Sequence, residues 1–142
     1  MHSAAETLVE AARIITTHGL HTGEQFAATD SDAVDICAAV YMAAEGTCPP
    51  EFADDELASI AIIEASAPAM AAIRAISEVL DSSVCETEIA PGLYVPDYIE
   101  HVSNWAATTP IGGTQPPTTS EVIGRILRAA NTLTTQTTPH AA

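Results

Sequence analysis

The chain contains no lysine. Arg13, Arg74, Arg125 and Arg128 face 19 acids, which gives a formal net charge of −15 over 142 residues. Such a chain cannot neutralise a row of phosphates, so no direct nucleic-acid binding is expected. Anionic membrane surfaces are disfavoured by the same deficit. Aromatic residues are also scarce, six in all. Each large ring therefore matters more to the core, and Trp105, Tyr98 and Tyr41 are the expected anchors. Cys37, Cys48 and Cys85 are too few, and odd in number, for a disulfide scaffold. They are expected as free thiols in a cytoplasmic protein. Long apolar runs are missing too. The most apolar stretch, Leu57 to Leu80, is interrupted by Glu64, Pro68, Arg74 and Glu78, and reads as two buried helices rather than a membrane span. The N-terminus shows no basic segment followed by an apolar core, so no targeting segment is expected.

What the chain does have is alanine, 27 residues, and a mean hydropathy of +0.19, too apolar for a disordered polymer. Alanine favours helix and lets helices approach closely, but buries little area per residue. Helix signatures follow one another. Ser3 and Glu6 make a capping box, Leu8, Ala12 and Ile15 recur at helical spacing, and His18-Gly19 ends the segment. Leu20 to Ser31 is a polar connection. A second helix opens near Asp32, with Asp35 in its first turn, and stops at Gly46. A third, from Pro50 or Asp54 to Ala65, is apolar almost all round and is expected at the centre. Ser66 caps a fourth, whose stripe of Met70, Ile73, Ile76 and Leu80 runs to Asp81. Pro96 starts a fifth through Tyr98, Ile99, Val102 and Trp105. Thr118 or Thr119, with Glu121, opens the last. On that helix Arg125 and Arg128 are expected to pair with Glu121 and neighbouring acids. The expected fold is all-α: five or six helices in one bundle over residues 1–133, an irregular segment near 82–96, and a flexible tail from 134 to 142.

Three segments carry a resemblance. They are Ala11 to Gly19 with its His-Gly end, Ile36-Cys37-Ala38-Ala39, and Ile99 to Ala130 with Trp105, a Pro/Gly/Thr loop and Thr118-Thr119-Ser120-Glu121-Val122. In this order they resemble a group of small uncharacterised proteins of actinobacteria, their plasmids and their phages. That group tends to have a glycine soon after the cysteine, where this chain has Val40, and Asn-Asp after the tryptophan, where it has Ala106-Ala107. The resemblance implies a helical fold and an actinobacterial setting, and no activity.

Chemistry is sparse. Cys37 near a helix N-terminus, with His18 or His21 to take its proton and Asn104 or Asp97 to orient the imidazole, is the one nucleophile arrangement available. Asp30, Asp32 and Asp35 oppose a thiolate there. Cys37, Cys48, Cys85, His18, His21 and His101 show no paired spacing of the kind zinc sites use, and Asp30, Asp32 and Asp35 lack the glycine and terminal glutamate of a calcium loop. Gly112-Gly113 lacks the lysine of a phosphate loop. No metal and no cofactor are expected.

Charge distribution is more informative. Between Arg13 and Arg74 lie ten acids and no lysine or arginine. Glu51, Asp54, Asp55 and Glu56 form the densest group and are the candidate partner-binding residues. The function expected is a non-enzymatic interaction or regulatory module docking a partner protein with a basic face. The alternatives are a cysteine-dependent enzyme using Cys37 with His18 or His21, and a nucleic-acid mimic that inhibits a DNA-binding protein.

Overall fold

The computed structural model describes residues 2–137, with side chains to Thr135. Six α-helices are present among the described residues: α1 Ala4–His18, α2 Ile36–Glu45, α3 Glu56–Glu64, α4 Ala67–Glu78, α5 Tyr98–Ala107 and α6 Thr119–Thr137. A 3-10 turn, Pro50–Ala53, precedes α3, and an antiparallel ribbon, β1 Cys85–Ala90 and β2 Leu93–Asp97, precedes α5. The molecule is therefore mostly helical, not all-α. The segment expected to be irregular is this ribbon. Thr87, Ile89, Tyr94 and Val95 suit extended backbone, and Gly92 takes the left-handed conformation (φ 77°) of the reversal. Pro96 lies inside β2, where a two-stranded ribbon has only edges. Asp97 instead caps α5, accepting from the Glu100 N–H at 3.0 Å.

The core forms where α1 meets α2 and α6, with α4 closing one side. Leu8, Ile15, Ile36, Val40, Ile73, Ile76, Val122 and Ile126 are fully buried within it. Both expected capping boxes are present: Ser3 with Glu6, and Thr118 with Glu121. Gly19 ends α1 at φ 95°.

Several sequence expectations need correction. The cap of α2 is Asp35, not Asp32, because Asp32 lies in a bend and Val34 bridges to Leu20 and Ala27 before the helix begins. The third helix is interrupted at Asp54-Asp55 and lies at the periphery. It buries only Ser59 and Ile63 and leaves Leu57 82% exposed. The central apolar helix is α2, buried at Ile36, Cys37, Ala38, Ala39, Val40 and Ala43. The helix expected to reach Asp81 ends at Glu78. Tyr41, Tyr98 and Trp105 pack at the margin of the core, whereas Phe52 and Phe26 are buried. Arg125 does not pair with Glu121. It donates to the Val79 carbonyl at 2.8 Å, reaches Asp81 at 3.6 Å and lies over the Trp105 ring. Helix α6 continues through Thr134–Thr137, the first residues of the expected tail, and the rest of that tail lies outside the described residues.

Among the described residues no single helix is long and apolar enough to cross a membrane. The apolar pair α3 and α4 is bent by 98° at its break.

Candidate functional site

The connection from Leu20 to Asp35 is not a loose polar loop. His21 N–H donates to the Val34 carbonyl at 2.8 Å, and Asp35 N–H donates to the Phe26 carbonyl at 2.7 Å. Phe26 and Ala27 both donate to the Phe52 carbonyl, at 2.8 and 2.9 Å. Phe26 and Phe52 pack ring against ring, and Tyr41 meets Phe52 edge-on. These bonds clamp the connection onto the 3-10 turn, and so bring Glu24 and Gln25 to the corner that holds Glu51–Glu56.

A cleft of about 160 Å³ opens there, lined by Glu24, Gln25, Asp35, Glu56, Ser103 and Asn104 among others. Three helices and the connecting segment build it. The N-terminus of α2 supplies Asp35, α5 supplies Ser103 and Asn104, and the first turn of α3 supplies Glu56. Asp35 is 7% exposed. Its Oδ1 accepts from Cys37 N–H at 2.7 Å, Ala38 N–H at 3.3 Å and the Ser103 hydroxyl at 3.3 Å. All the hydrogen bonds seen on this carboxylate fall on one oxygen. Burial pushes its pKa up to about 6, against the opposing pull of the Cys37 N–H, Ser103 and the Ala38 N–H, and of nearby His21.

Gln25 stands out on two counts. It is the one non-glycine residue at positive φ (68°) among the described residues, a conformation that costs an L-residue about 1–2 kcal/mol. Its Oε1 is buried and has no hydrogen-bond partner there, a deficit of about 1–3 kcal/mol. Strain and an unmet acceptor at the wall of a cleft are features that concentrate at working sites.

The cysteine arrangement is placed differently. Cys37 is fully buried, its thiol donating to the Ile99 carbonyl at 3.7 Å and accepting from the Ser103 hydroxyl at 3.4 Å. Burial raises its pKa well above the ordinary thiol value, and Asp35 raises it further, so the reactive thiolate is disfavoured. No hydrogen bond joins it to His18 or His21 among the described residues. His18 lines a separate cleft of about 310 Å³ with Asp32 and Cys48, and His21 Nε2 meets the Glu24 carbonyl at 2.7 Å. Of the intended orienting groups, Asn104 reaches the Asp35 cleft and Asp97 caps α5.

The four acids proposed for partner binding sit at one corner. Asp54 is exposed, Asp55 caps α3 through the Ala58 N–H at 3.0 Å, the Glu51 carbonyl accepts from Ser59, and Glu56 reaches the cleft. Among the described residues no three of His, Cys, Asp and Glu converge in a way that could hold a metal ion. A space of 160 Å³ is also well below what a nucleotide-sized cofactor fills.

Sequence reasoning missed Gln25, Ser103 and His101. Nothing in the local pattern marks Gln25 or Ser103, because their roles arise from contacts across the fold. His101, treated only as a soft ligand, is buried between Ser77 (Nδ1, 2.6 Å) and Ser82 (Nε2, 2.8 Å), and burial holds its pKa below the usual value.

Fold and cleft together define a small helical domain with one β-ribbon and an acidic, acceptor-lined recess. The chain belongs to a family of unknown function (DUF6197), whose model matches residues 1–132. No curated protein and no solved structure matches it.

Proposed function

We propose that this domain is a non-enzymatic interaction module that docks a partner protein bearing a basic face. The observation that carries the reading is the composition of the Glu24–Asp35–Glu56 cleft, whose described lining holds three carboxylates and no cation. Glu51, Asp54 and Asp55 extend the same charge outward from Glu56. A pocket lined by acceptors is short of donors, and a cationic group from outside supplies them. The buried, deprotonation-resistant Cys37 supports recognition over thiol chemistry.

Affinity capture at two ionic strengths tests the reading. Screening shortens from about 10 Å at 0.1 M salt to roughly 4 Å at 0.5 M. Captured proteins should be basic and should be lost at the higher salt. Capture that is indifferent to salt, or that returns acidic proteins, contradicts it.

A further inference from the structure

We infer that the cleft between the Glu24–Gln25 segment and α5 is a recognition hole for one alkylguanidinium group, an arginine side chain of the basic partner. The inference rests on the docking reading above and assigns the atoms that do the recognising.

Size selects first. About 160 Å³ suits one side-chain head and not a nucleotide or a drug-sized ligand. Chemistry selects next. Asp35 lines the cleft with its hydrogen bonds gathered on Oδ1, which leaves Oδ2 for a ligand. Gln25 also lines the cleft and carries a buried Oε1 without a hydrogen-bond partner. Glu24 and Glu56 add two further carboxylates, and Asn104 adds an amide. The Ser103 hydroxyl has a single proton, shared between Asp35 Oδ1 and Cys37 Sγ, so its oxygen is free to accept. Acceptors therefore come from α2, α3, α5 and the connecting segment. A guanidinium presents five donors in a rigid plane and can meet several of them at once. An ammonium offers three donors at one point, and should bind less well.

The test is an amide chemical-shift titration of the full chain with acetyl-arginine-methylamide and, separately, acetyl-lysine-methylamide, at about 20 mM salt to limit screening. Shifts should centre on Gln25, Asp35, Ser103 and Asn104, and arginine should bind at least fivefold more tightly than lysine. Asp35→Asn retains a side-chain oxygen to cap α2 and should weaken arginine binding at least tenfold. Ser103→Ala, which leaves that cap untouched, should weaken it measurably as a second check. Glu86→Gln, on β1 and outside both the cleft lining and the acidic corner, should not. Equal binding of the two amides, or Asp35→Asn and Ser103→Ala both without effect, overturns the inference. An alternating arginine–lysine octapeptide separates the two levels. If it binds in a salt-dependent way while the single amino acid does not, the hole is wrong and the docking reading stands. If the octapeptide fails to bind, the docking reading fails as well.

Discussion

Asp35 holds a carboxylate where the protein excludes water, and that placement has a measurable consequence. Its pKa is raised from an ordinary 3.8 to about 6, so between those values the folded chain binds more protons than the unfolded one. Stability contributed by this group is therefore greatest at low pH and falls as pH rises through about 4 to 6. Two units correspond to about 3 kcal/mol. Asp35→Asn should stabilise the chain by up to that amount at pH 7 and by nearly nothing near pH 3.5, as read from urea unfolding at both values. An equal effect at the two pH values would show that the carboxylate is not strained by burial. Packing predictions belong to the same scale. Phe52 is fully buried, so Phe52→Ala should cost about 3–5 kcal/mol. Leu57 is mostly exposed, and Leu57→Ala should change stability by less than about 0.5 kcal/mol. Neither contrast follows from hydrophobicity alone, and denaturation midpoints of the two variants would check it.

At the scale of the elements, what was legible in the sequence were local signals. Ser3 with Glu6 and Thr118 with Glu121 marked helix starts correctly because a capping box is satisfied by residues three apart. His18-Gly19 and Gly46 marked helix ends for the same kind of reason. Long-range contacts were not legible. Phe26, in a connection that reads as polar, is buried because its backbone is held to Phe52, 26 positions on. The apolar run of α3 looked central, but its neighbours leave Leu57 in water. Of the candidate site, the acidic corner was visible as a charge cluster. Gln25 and Ser103 were not, since φ at Gln25 and the neighbours of Ser103 are set by tertiary packing. The β1–β2 ribbon is largely exposed, with Ile89, Leu93 and Tyr94 facing solvent. A two-stranded ribbon is marginal without a packed face. Its amides should exchange with solvent much faster than those of α1 and α2. Protection equal to that of α2 would mean the ribbon is part of the cooperative core.

For the molecule as a whole, the absence of lysine and a net charge of −15 act together. The same deficit that repels phosphates leaves the Glu24–Asp35–Glu56 corner without a described internal counter-ion among its lining residues, so its charge is available to a partner. Three of the four arginines are engaged elsewhere: Arg13 with Glu10, Arg74 with Glu78, and Arg125 with Val79 and Asp81. Titration calorimetry with a basic peptide, on the wild-type chain and on Glu24→Gln/Glu56→Gln, at about 20 and 200 mM salt, is the most direct test of docking at this corner. Affinity should fall about tenfold across that salt range for the wild type, and the double variant should bind several-fold more weakly at low salt. Identical affinity of the two proteins, or an affinity unmoved by salt, would contradict it.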